Sequence, residues 1–125
     1  VDDAAARALL ETERAATAAR LASLTADVAA IVAGADDNGD DEHDPEGATI
    51  AYERARTTAL AERARADLVE LDRAVARLAA GIYRRCAACG RPIGPERLAA
   101  RPATRTCVAC AARAPHRCRS KREQP

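Results

Sequence analysis

Two heptad seams, one on each side of a single acidic stretch, constrain the fold of this 125-residue chain more than any other feature. Leu10, Arg14, Thr17, Leu21, Leu24, Val28 and Ile31 recur at alternating spacings of four and three. Beyond the acidic stretch, Ile50, Arg54, Thr57, Ala61, Ala64, Leu68, Leu71, Val75, Leu78 and Ile82 repeat the alternation. That period keeps one stripe of a helix turned toward a partner helix over many turns. The spacing predicts a first helix from Asp3 to about Ala33, with Gly34 as a left-handed C-terminal cap, and a second from about Pro45 to Ala80. Asp44 suits the N-cap of the second helix and Pro45 its first helical position. Two helices of similar length around one short loop fold back as a long antiparallel coiled-coil hairpin of about 45 Å.

Composition agrees with a thin helical object. The chain has no Phe, Trp or Met and only two Tyr, and its 48% hydrophobic content is mostly alanine, a strong helix former that buries little area. No unbroken apolar run reaches the roughly 18 residues of a membrane span, and no secretory signal is legible. No membrane partner and a cytoplasmic location are therefore expected. The net charge of +1 hides a strong polarity. Residues 1–81 carry 9 Arg against 17 Asp or Glu, whereas residues 82–125 carry 11 Arg or Lys against 2 Glu.

Seven acids crowd residues 36–47: Asp36, Asp37, Asp40, Asp41, Glu42, Asp44 and Glu46. A calcium loop of EF-hand type is out of register, because counting from Asp36 puts Asp41 where the invariant Gly belongs and Gly47 where the bidentate Glu belongs. A solvated turn with Asp44 as cap, and charge placed to act on a partner, both fit the residues.

Cys86-Ala-Ala-Cys89 and Cys107-Val-Ala-Cys110 are separated by 17 residues, the spacing of a four-thiolate structural zinc site. Gly90 after the first pair allows a tight knuckle. In a chain without a secretory signal, two such pairs read as metal ligands rather than disulfides. One structural Zn²⁺ per chain is expected. A closed four-thiolate set has no open position for substrate, so no enzyme activity is expected. Cys118, near His116 in the basic tail, lies beyond the completed tetrad and is not assigned as a ligand.

The stretch GIYRRCAACGRPIGPERLAARPATRTCVAC, from Gly81 to Cys110, resembles the zinc finger of the DksA/TraR family: Cys-x-x-Cys-Gly-x-x-Ile, then Arg97-Leu98-x-Ala100-x-Pro102, then Cys-x-x-Cys. The resemblance implies a bacterial, non-enzymatic transcription regulator that binds RNA polymerase directly. In that family the coiled coil enters the secondary channel and acidic tip residues approach the catalytic centre. Glu46 and Ala48 fall where the family carries its acid-x-Ala tip signature, and His43, flanked by Glu42 and Asp44, falls at the preceding acid. Arg97 and Arg101 are the basic partner-binding positions that the motif carries over. Some members also use guanosine tetraphosphate through basic residues; here Glu70 and Ala111 stand at two of those positions, which argues against alarmone dependence.

The expected organisation is a hairpin over 1–81 with an acidic tip loop at about 34–47, a C4 zinc finger over 82–114 and a flexible basic tail over 115–125. The other reading of the same residues is a zinc-ribbon protein that binds nucleic acid through its basic C-terminal half. With no base-reading helix and no aromatic stacking surface, sequence-specific DNA binding is not expected.

Overall fold

A computed structural model describes residues 2–37 and 45–113. It contains four helices in order: α1 (Asp3–Asp37), α2 (Pro45–Ala80), α3 (Pro95–Ala100) and α4 (Val108–Arg113). The only strand-like pairing among the described residues is an isolated antiparallel bridge between Arg85 and Pro92. The expected tip residues Glu42 and Asp44, the side chain of Glu46, and the 115–125 tail with His116 and Cys118 lie outside the described residues.

α1 starts where Asp2 accepts a hydrogen bond from the Ala5 amide at 2.7 Å, an N-cap that satisfies one of the orphan donors of the first turn. Gly34 does not cap this helix. It lies inside α1, its φ is not positive, and the helix continues to Asp37. A helical glycine costs only about 1 kcal/mol relative to alanine, so Gly34 alone does not stop it.

Gly81 is the effective terminator. With φ at +81° it lets its own amide donate to Leu78 O (3.1 Å) and the Ile82 amide donate to Arg77 O (3.0 Å). This double closure is a Schellman cap, and only glycine adopts the required backbone without strain. α2 therefore ends at Ala80. Ile82, expected as the last seam residue, lies beyond the helix and is 48% exposed.

α1 and α2 run antiparallel. Leu10 shares a buried cluster with Leu71, Ala74 and Leu78, and Arg20 reaches Asp67 at 3.6 Å, so positions rise along α1 as they fall along α2. Packing divides the chain inside these helices, into one compact unit of Arg14–Val69 and another that joins the start of α1, through Glu13, to the described residues from Glu70 onward.

The Arg14–Val69 unit is a thin two-helix pair. Thr17, Ala61 and Ala64 are buried, and Leu21, Leu24, Val28, Ile31, Ile50, Thr57 and Leu68 are half-buried along the seams. Arg14 and Arg54, also on the seam period, stay exposed. Alanine at 61 and 64 lets the helices approach closely but contributes little area, so this pair depends on many small contacts. By length and composition Asp3–Gly34 is apolar enough to cross a membrane, with mean hydropathy 1.4, although no unbroken apolar run signals it. Only 6% of that apolar window is buried, as expected when an alanine-rich helix covers one stripe against one partner.

The second unit holds the larger core. Ala6 and Leu10 of α1 meet Leu71, Ala74 and Leu78 of α2, and the cluster continues through Tyr83, Cys86, Ile93, Leu98 and Cys110. Leu10 is fully buried. Leu10→Ala should lower unfolding stability by about 2–4 kcal/mol, the usual cost of a leucine-sized cavity, measured by denaturant titration with zinc present. A loss under about 1 kcal/mol would mean that this cluster does not hold the helices to the segment after them.

Candidate metal centre

The segment after Gly81 turns back on itself around the first cysteine pair. The Ile93 amide donates to Arg84 O at 2.7 Å and the Cys86 amide to Arg91 O at 2.8 Å, which brackets the Arg85–Pro92 bridge. At the turn, Gly90 adopts φ +76° and its amide donates to Cys86 O at 2.9 Å. The first pair is thus a tight knuckle, and its left-handed residue is the one glycine available. The second pair is held differently: Cys107 directly precedes α4 and Cys110 lies within it, with the Ala111 amide donating to Cys107 O at 2.9 Å.

Two long-range bonds dock the pairs on each other. The Cys107 amide donates to Cys86 Sγ at 3.3 Å, and the Ala87 amide donates to Arg105 O at 2.7 Å. As a result the four Sγ atoms of Cys86, Cys89, Cys107 and Cys110 lie within 4.8 Å of one another. Cys89 and Cys107 are 3.8 Å apart, far beyond a disulfide length of about 2.05 Å. A tetrahedron with Zn–S bonds of about 2.3 Å has edges of about 3.8 Å, so that spacing suits a shared zinc ion.

The acid–base state of the four sulfurs points the same way. Cys86 is pulled down to about 6, chiefly by the Cys107 amide, whose hydrogen bond favours its thiolate. Cys107 is also lowered, first by the backbone at Cys110. At Cys110 the Arg113 guanidinium, 3.3 Å from Sγ, favours the thiolate, but Cys107, burial and the other two cysteines outweigh it and push the thiol up to about 11. Four sulfurs this close cannot all ionise without a compensating cation. A divalent ion supplies that charge, and the donor set is soft and closed, as a structural zinc requires.

The finger around the site is braced by arginines. Arg97, in α3, donates from Nε to Thr106 O at 2.7 Å and from a terminal nitrogen to Thr104 Oγ1 at 3.2 Å, which fixes the approach to Cys107. Arg77 of α2 donates to Ala103 O at 3.4 Å and Thr104 O at 3.2 Å; burial, then the neighbouring Arg105, lower its pKa. Its Nε is buried without a hydrogen-bond partner among the described residues. Tyr83 donates its buried hydroxyl to Pro102 O at 2.8 Å. Sequence reasoning missed Arg77 and Tyr83 as braces, because their acceptors are backbone carbonyls 19 to 27 residues away.

The residues marked for partner contact are not gathered in one place. Arg101 is exposed at the C-cap of α3. Arg97 is half-buried with its guanidinium turned into the finger. Ala48 is exposed in the first turn of α2. Glu70 faces Arg73 at 3.0 Å and Arg105 at 3.7 Å.

Residues 81–116 match the prokaryotic dksA/traR C4-type zinc finger family. The fold is similar to the solved structure of the transcription factor DksA2 from Pseudomonas aeruginosa, with a TM-score of 0.72 and 27% sequence identity over 94% of this chain and 85% of that one. No curated protein sequence matches significantly. Residues 81–116 are thus a dksA/traR C4-type zinc finger, and the four cysteines form its structural zinc site.

Serine in place of Cys86, Cys89, Cys107 or Cys110 should each remove zinc from the expected one ion per chain and loosen the segment after Gly81, while α1 and α2 keep most of their helicity. Metal analysis of reduced protein together with circular dichroism checks both parts. The double change Cys118→Ser and His116→Ala should leave zinc content unchanged; a loss would move a ligand into the tail.

Proposed function

We propose that this regulator binds RNA polymerase directly and carries the carboxylates between α1 and α2 into the polymerase secondary channel, where they modulate initiation. The observation that carries the reading is the likeness to a DksA2 transcription factor along nearly the whole chain, combined with seven acids in residues 36–47. In the family whose zinc finger this chain carries, that part of the hairpin is the acting end. Here Glu42, Asp44 and Glu46 are the acting charges, and Ala48 is the small neighbouring contact. A polymerase active centre is organised around Mg²⁺, so carboxylates brought close to it alter the field on the metal and on the mobile elements beside it.

The zinc finger supplies docking surface in this reading, with Arg101 as an exposed basic contact and Arg97 holding the loop beneath it. Zinc stabilises the fold and takes no part in a reaction. Glu70, which stands where alarmone-dependent members carry a basic residue, is engaged by Arg73 and Arg105, which argues against dependence on guanosine tetraphosphate. A protein that acts on polymerase works in the cytoplasm.

Replacing Asp44 by Asn and Glu46 by Gln removes charge but keeps size, and Asn caps a helix about as well as Asp. The double variant should bind purified polymerase core with wild-type affinity and lose its effect on initiation in a purified transcription assay. Neutralising Asp36 and Asp37 should have a smaller effect. If the Asp44/Glu46 variant regulates normally, the acidic stretch is a solvated turn. If the wild-type protein fails to bind polymerase at all, the reading fails at its first step.

A further inference from the structure

The start of α1, the segment around the first cysteine pair and α3 border a cavity of about 250 Å³. Ala6 and Leu9 of α1, Tyr83 and Ile93 of the finger segment, and Leu98 and Ala99 of α3 form its apolar walls. Four of these six, Ala6, Tyr83, Ile93 and Leu98, also belong to the buried cluster that contains Cys86 and Cys110. The Tyr83 hydroxyl is committed to Pro102 O at 2.8 Å, so this residue lends the wall a ring and no spare donor. Arg84 is the one charged residue of the lining. Its guanidinium holds the Asp3 carboxylate at 2.7 Å, and both side chains reach solvent. Packed interiors leave few spaces larger than a water molecule. Residues 38–44 and 114–125 contain no Val, Ile, Leu or Tyr that could enter this one.

We infer that this cavity binds a small amphiphilic monoanion, an aliphatic carboxylate of about six to ten carbons, with its chain among the apolar walls and its carboxylate on Arg84. Size sets the chain length. An apolar cavity of about 150 Å³ takes a benzene molecule, so one of about 250 Å³ takes a body modestly larger. Cofactors and drug-sized ligands need about 300–1,000 Å³ and are too large. Charge sets the head group. A guanidinium forks onto a carboxylate through two parallel hydrogen bonds, and Arg84 already carries one from Asp3. A phosphate monoester would bring a second negative charge to a mouth where Asp3 balances the one cation. Apart from Arg84 and the bonded Tyr83 hydroxyl, no lining side chain is polar, so a sugar or nucleobase would lose its water without gaining partners. Asp3 is thus a tethered competitor that a ligand displaces from Arg84 or shares it with. Because four wall residues are also core residues, an occupied cavity stabilises the finger by mass action. The inference does not rest on polymerase binding.

The test titrates octanoate into the full zinc-loaded chain, followed by amide NMR and by thermal unfolding. Saturable shifts should map to Ala6, Leu9, Tyr83, Ile93 and Leu98, and the unfolding midpoint should rise. Hexanoate, two methylenes shorter, should bind about fifteenfold more weakly. Octanol, which has the chain without the charge, separates the two halves of the site. Arg84→Gln should weaken octanoate about tenfold and leave octanol unchanged. Asp3→Asn removes the competing carboxylate and should tighten octanoate but not octanol. Ala99→Trp, at an exposed position of α3 on the cavity wall, should abolish binding of both. Zinc content and helicity, measured for each variant, confirm that the fold is intact; if Ala99→Trp disturbs either, Ala99→Leu takes its place and should weaken both ligands. The inference is overturned if octanoate gives no saturable shifts at these residues, if Arg84→Gln affects octanoate and octanol alike, if Asp3→Asn fails to tighten octanoate, or if the variant that fills the cavity binds as the wild type does.

Discussion

Four cysteine sulfurs within 4.8 Å are the constraint on which the C-terminal half depends. Between Gly81 and Arg113 there are only two six-residue helices and one isolated bridge, and the buried side chains are few. A segment this short buries too little apolar surface to offset the entropy of ordering its backbone. Metal binding makes up the difference, because ligands that are far apart in the unfolded chain are coordinated only in the folded one. The knuckle at Gly90, the start of α4 and the bond from the Cys107 amide to Cys86 Sγ are the means by which the chain brings those sulfurs together.

The metal centre shares its core with the base of the hairpin. Cys86 and Cys110 belong to the same buried cluster as Leu10, Leu71, Ala74 and Leu78. Polar braces take the same path: Tyr83 holds Pro102, Arg77 holds the carbonyls of Ala103 and Thr104, and Arg97 holds Thr106. A perturbation at the zinc site therefore reaches the ends of both long helices. The Arg14–Val69 pair, by contrast, relies on a narrow seam of alanines and half-buried aliphatics and includes the cross-helix ion pair Arg20–Asp67. Exposed ion pairs of this kind contribute about 1 kcal/mol or less.

Charge separates the same regions chemically. The acids lie mainly in residues 1–81 and concentrate at 36–47, while residues 82–125 are strongly basic. In the proposed function the acids are the acting groups and the finger is the docking surface. A finger whose arginines are partly engaged by its own carbonyls and partly exposed can brace its own loops and meet a partner with different residues of one type.

Much of this was legible in the primary structure, because the signals were periodic or stoichiometric. The heptad alternation marks both long helices, Pro45 opens the second, and the C-x₂-C-x₁₇-C-x₂-C spacing names the four ligands. Two expectations failed at positions where local chemistry competes with context. Gly34 was expected to cap a helix that continues through it, and Ile82 was expected on a seam that Gly81 closes first. Only the tertiary structure decided which arginines are braces, because a guanidinium's partner can be a backbone carbonyl tens of residues away. It also decided that Ala74, off the counted seam, is buried completely, since the finger packs over a wider face of α2 than one helix could cover. Periodicity and ligand spacing are properties of neighbouring residues, so the chain by itself determines them; burial and the partners of long polar side chains depend on what the fold brings alongside.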